Sequence, residues 1–104
     1  MLTKEERKQI ADTILQQLGG NKFIAMTGAK NFAFGDAGEL TFKIGRNSSP
    51  ANYVKVELNS MDTYTMTFIR GTIKGIKDLK TIDGLYFDML QSEFTAFTGL
   101  HTSL

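Results

Sequence analysis

The sequence predicts an α+β domain: an antiparallel sheet of about five strands, flanked by an N-terminal and a C-terminal helix packed on one face. Three observations carry this. Ile10, Ala11, Ile14, Leu15 and Leu18 recur at helical spacing near the start. Between residues 32 and 68 apolar and polar residues alternate with period two. A second apolar stripe of helical width then runs from Ile82 to Phe97.

The first helix is expected over residues 4–18, opened by a capping box of Thr3 and Glu6 and stopped by Gly19-Gly20. From Asn21 the period reads as two. Phe23-Ile24-Ala25-Met26 is expected as a leading strand, with Thr27-Gly28 as its turn. Phe32 and Phe34, then Leu40, Phe42 and Ile44, predict a hairpin closed at Gly35-Asp36-Ala37-Gly38. Residues 45–52 contain the only proline and read as a polar loop. Val54, Val56 and Leu58, then Tyr64, Met66 and Phe68, predict a second hairpin around Asn59-Ser60-Met61-Asp62, with a threonine-rich outer face.

Residues 71–80 fit neither period. Ile73, Ile76 and Leu79 are three apart, but glycines interrupt them, so an irregular or partly extended connection is expected. The last helix, of about four turns, is expected to start near Thr81 or Asp83 and to end at Gly99. No internal repeat or linker is visible, and the 104 residues suit one domain. The core should bring Phe32, Phe34, Leu40, Phe42, Val54, Val56, Tyr64, Met66 and Phe68 onto a face shared with Ile10, Ile14, Leu85, Leu90 and Phe94.

The composition removes several chemistries. With no cysteine there is no disulfide, no thiol nucleophile and no cysteine-bound metal. With one histidine, His101, neither a two-histidine metal site nor a Cys–His pair can be built. His101 reads as an exposed tail residue rather than a catalyst. Asp36 and Glu39, and Glu57 and Asp62, flank turns, where aspartate bonds nearby backbone, so they read as turn residues rather than a hydrolytic dyad. Gly35-Asp36-Ala37-Gly38 spells the GxxG of a KH clamp, but that loop joins helices and this one joins strands. Residues 28–30 lack the order of a phosphate loop. The chain is read as not an enzyme, with no cofactor and no metal.

Twelve basic and eleven acidic residues give a net charge of +1, too small for long-range attraction to nucleic acid or anionic lipid. The distribution is less even. Residues 21–80 hold nine basic and five acidic residues, and residues 81–104 hold three acidic residues and no lysine or arginine. Arg70, Lys74, Lys77 and Lys80 form a basic segment. Arg46, Tyr53 and Lys55 join them as candidate contacts for a partner or for nucleic acid, Tyr53 because its register opposes that of Val54 and Val56. No apolar run of transmembrane length or signal-peptide form is present, so a cytoplasmic location is expected.

Residues 20–32 (Gly-Asn-Lys-Phe-Ile-Ala-Met-Thr-Gly-Ala-Lys-Asn-Phe), 40–44 (Leu-Thr-Phe-Lys-Ile), 52–58 (Asn-Tyr-Val-Lys-Val-Glu-Leu) and 90–100 (Leu-Gln-Ser-Glu-Phe-Thr-Ala-Phe-Thr-Gly-Leu) together resemble a family of small proteins of bacteriophages, prophages and other mobile elements. The resemblance covers most of the chain. It implies a bacterial cytoplasm and an accessory role, and it carries over no functional residue, because that family has no assigned activity. The expected function is a non-enzymatic accessory binding protein that contacts another protein or a second copy of itself. The alternative is a nucleic-acid-binding module using Lys22, Lys30, Lys43, Arg46, Lys55, Arg70, Lys74, Lys77 and Lys80. Third is a small enzyme built around the 45–52 loop.

Overall fold

The computed structural model describes residues 3–36 and 38–102. Ala37, at the centre of the expected hairpin connection, lies outside them, as do Met1-Leu2 and Ser103-Leu104. The elements are α1 (Lys4–Leu18), α2 (Gly20–Thr27), β1 (Lys30–Phe34), β2 (Leu40–Lys43), β3 (Tyr53–Leu58), β4 (Tyr64–Thr72), β5 (Gly75–Leu85) and α3 (Leu90–Thr98). A 3-10 turn at Phe87–Met89 leads into α3. The five strands form one antiparallel meander in the order β1-β2-β3-β4-β5. The fold is α+β, as the sequence predicts.

The capping box of α1 is formed as read. Thr3 Oγ1 accepts the Glu6 N–H at 3.1 Å, and the Thr3 N–H donates to Glu6 Oε1 at 3.0 Å. The backbone bond from Thr3, then its hydroxyl, hold the Glu6 carboxyl below its ordinary value, because both favour the charged form.

The expected leading strand at 23–26 is instead the helix α2. Phe23 and Thr27 are both buried and four residues apart, which is a helical repeat, and Ala25 and Met26 favour that state. Gly19, at φ 124°, turns the chain between α1 and α2 with no uncoiled linker. Thr27-Gly28 is therefore a helix end rather than a strand turn. Thr27 Oγ1 donates to Phe23 O at 2.7 Å and accepts the Ala29 N–H at 3.3 Å. Helix α3 ends in the same way: Thr98 Oγ1 donates to Phe94 O at 2.8 Å and accepts the Leu100 N–H at 3.1 Å. In both helices a left-handed glycine, Gly28 or Gly99, follows the threonine. The pattern Phe-x-Ala-x-Thr-Gly thus occurs twice, at 23–28 and 94–99, although no repeat is visible on the larger scale. The two phenylalanines meet edge to face at 5.1 Å.

The second correction lies in residues 71–85. Of the expected irregular connection, Gly71 and Thr72 end β4 and residues 73–74 turn the chain; the rest, with the expected first helical turns, is one strand, β5, which forms a long hairpin with β4. Spacing by three arises here from irregular pairing rather than from a helix. Tyr64 pairs with Leu85 and Met66 with Ile82, so one residue on β4, Thr65, faces two on β5, Asp83 and Gly84. The extra residue lies beside Gly84, whose φ of 70° suits such a bulge. Ile82 and Leu85 thereby reach the same covered face while three positions apart. The last helix consequently starts at Leu90, and Tyr86 and Phe87, expected near the buried stripe, are exposed.

The helices cover one face of the sheet. Phe42, Val54, Val56, Met66 and Phe68 from the strands are fully buried with Ile14, Leu18, Phe23, Leu90 and Phe94 from the helices. Leu40, Tyr64 and Leu85 join them as expected, while Ile10, Phe32 and Phe34 are only partly buried at the margin. Phe42 is the aromatic hub, with ring centroids 5.4 Å from Phe23, 5.5 Å from Phe32 and 6.5 Å from Phe94. Phe97 stacks on Phe68 at 4.2 Å and closes the core beside β5.

Candidate functional site

Register assigns the residues of the uncovered face. Phe42, Val54 and Phe68 point into the core, so their strand neighbours point away from the helices. One cross-strand row on the open face reads Lys30, Lys43, Tyr53, Ile69, Asp78; the next reads Ala33, Thr41, Lys55, Thr67, Thr81. Further along, Glu57 lies opposite Thr65, whose hydroxyl donates to Asp83 Oδ1 at 2.9 Å. Lys55 Nζ is 3.8 Å from Glu57 Oε2.

At one end of this face lies a shallow concavity of about 560 Å³. Tyr53, Ile69, Ile73 and Ile76 give it an apolar lining, and Thr41 and Lys43 stand at its side. Ile73 is completely exposed and Ile76 is 79% exposed. Two local devices shape it. Gly71 leaves room for the Tyr53 ring: a Cβ there would come within 3.2 Å of two ring carbons. Asn52 pins the strand beneath, donating from Nδ2 to Gly71 O at 2.7 Å and accepting the Gly71 N–H at Oδ1 at 2.8 Å. Both backbone groups of Gly71 are satisfied by one side chain where a bulkier residue would lift the tyrosine.

The basic segment 70–80 is not one surface. Arg70 pairs with Lys77 and Phe68 with Lys80, which assigns all three cations to the helix-covered side of the sheet. Arg70 Nη1 donates to Pro50 O at 3.1 Å, and Lys80 Nζ lies 5.9 Å from the centre of the Phe97 ring. Lys74 occupies the β4–β5 turn. Tyr53 and Lys55 lie on the open face, and Arg46 is exposed in the loop after β2. The seven candidates therefore divide between two faces, a hairpin tip and a loop. Sequence reasoning missed Asn52, Ile69, Ile73 and Ile76. A glycine inside the strand pattern at Gly71 and isoleucines in a polar hairpin tip were the available signals.

The 45–52 loop uses its polar groups on itself. Asn47 Nδ2 donates to Gly45 O and Ala51 O at 2.9 and 3.0 Å, while Asn47 Oδ1 accepts from the Ser49 backbone and hydroxyl. The Ser48 N–H donates to Thr98 O at 2.9 Å, tying the loop to the end of α3. His101 is exposed, as expected, but its tail is docked: Thr102 is buried and Leu100 O accepts from Thr95 Oγ1 at 2.9 Å. Among the described residues no three His, Asp or Glu side chains converge as metal ligands, and no helix is long and apolar enough to cross a membrane. Comparison with protein-family models, with curated proteins and with solved structures found no match.

Proposed function

We propose that this protein is a non-enzymatic accessory binding protein of a bacteriophage or mobile element, working in the bacterial cytoplasm through protein–protein contact on the open face of its sheet. The observation that carries the reading is the concavity around Tyr53. A sheet face without helices displays Ile69, Ile73 and Ile76 beside a tyrosine ring, and an exposed apolar cluster rimmed by polar groups is the usual mark of a protein interface. Lys43 and Lys55 beside Tyr53 lend some support to the alternative, a single-stranded nucleic acid stacked on the sheet. The protein reading is preferred because Glu57, Asp78 and Asp83 share that face and cancel its lysines.

A photo-crosslinking amino acid at Tyr53, with Lys8 on the outer side of α1 as control, tests this in bacterial cells. The expected result is nuclease-resistant cross-linking to protein from position 53 and none from position 8. Cross-links to nucleic acid alone would transfer support to the alternative.

A further inference from the structure

Resting on the open face as the binding surface, we infer that its occupant is a second copy of this chain, packed sheet on sheet about a two-fold axis parallel to β3. The inference comes from how charge is laid out across the strands. The β1 and β2 side of the face carries Lys30 and Lys43, and the β5 side carries Asp78 and Asp83. A two-fold axis along the central strand reverses the strand order. It sets β1 over the partner copy's β5, β2 over β4 and β3 over β3. Lys30 then stands over Asp78 twice, once in each direction, as an isologous interface requires. The stem of Lys43 lies over Ile69, and the Tyr53 rings meet near the axis. Lys55 and Glu57 each meet their own copy there as well, and the 3.8 Å pair they form within each copy keeps that patch neutral overall.

The edges are poor alternatives for self-association. β1 is bulged between Lys30 and Ala33, with Asn31 at φ 58°. β5 is bulged twice and carries Lys77, Asp78, Lys80 and Asp83. Bulges and charges are the devices that keep strand edges from pairing. Size sets the strength of the dimer. Five strands about 4.8 Å apart, crossed over about six residues of 3.3 Å each, make a contact of roughly 400 Å² in projection. Counted over both copies that is roughly 800 Å², below the about 1,000 Å² that a stable interface clears, so the dimer is a weak and reversible one.

The test is sedimentation equilibrium on the full chain from about 1 µM to about 1 mM, with circular dichroism to verify folding of each variant. Lys30→Glu and Asp78→Lys are at exposed strand positions and should each weaken dimerisation about fivefold or more, by setting like charges together twice. Mixing the two variants should restore association, because each new charge then faces its opposite. The double variant should restore it as well. Amide shifts on dilution should cluster at Thr41, Tyr53, Ile69 and Ile76. A monomer throughout the range, association without rescue in the mixture, or shifts confined to the helices would overturn the inference. A monomer that still cross-links another protein from position 53 sinks the second copy and leaves the open-face reading standing. A monomer that cross-links nothing sinks both.

Discussion

Truncating Phe42 to alanine tests the core most directly. Phe42 has no exposed surface, and rings from α2, β1 and α3 surround it. Losing a buried phenylalanine removes its transfer energy and leaves a cavity, together about 3–5 kcal/mol. Collapse into this cavity is resisted from several sides, because β2 is hydrogen-bonded to β1 and β3 and the facing helices are packed against each other. The loss should therefore be about 4 kcal/mol, against a total stability of about 5–15 kcal/mol for a domain this size. In urea the midpoint should fall by about 2–3 M at a slope near 1.5 kcal/mol per molar, with the slope itself unchanged. Phe32→Ala is the internal comparison. Phe32 is half-buried and has one ring neighbour, Phe42, so its loss should be about 1–2 kcal/mol. A change below about 1 kcal/mol for Phe42→Ala, or equal losses at the two positions, would refute a core centred on this ring.

Gly38→Ala should destabilise by about 2–4 kcal/mol in the same titration, combining a left-handed backbone with overpacking. Gly38 has φ 80°, and a Cβ there would lie 2.7 Å from Ile10 Cβ. Thr27→Val and Thr98→Val should each lose about 1–2 kcal/mol, since each leaves a backbone N–H without its hydroxyl acceptor. Matching losses would support the equivalence of the two helix ends. Acid should weaken α1 through Glu6: a lowered folded-state value means its contribution is complete above the ordinary 4.5 and is lost as pH falls through the lower value. Far-UV circular dichroism during acid titration checks this: wild type should lose helix signal through that acid range, and Glu6→Gln, which has no carboxylate to protonate, should lack that part of the loss. Burial raises the Tyr64 phenol, so stability should hold up to the ordinary value of 10.0 and decline as pH rises through the raised one. Tyr64→Phe should remove that alkaline decline.

Much of the fold was legible in the sequence because it rests on short-range rules. The capping box needs only Thr3 and Glu6, and β2, β3 and β4 need only the alternation that separates Phe42, Val54 and Phe68 from Thr41, Lys55 and Thr67. Those elements and the covered apolar face were determined locally. The misread segments were those where tertiary contacts decide. An apolar run as short as 23–26 suits a strand or a helix, and packing of Phe23 between Phe42 and Phe94 selects the helix. Bulges in the β4–β5 pairing give a strand the spacing of a helix, and a bulge exists only against a partner strand. The candidate surface was hidden for the same reason. The sequence puts Arg70, Lys77 and Lys80 close to Lys74 along the chain, whereas pairing assigns them to the covered side and gathers Lys30, Lys43, Tyr53 and Ile69 into one row on the other. Which residues share a face follows from register across strands far apart in the chain. Register is set by the burial of the whole apolar face at once, a property of the assembled sheet and of no single strand.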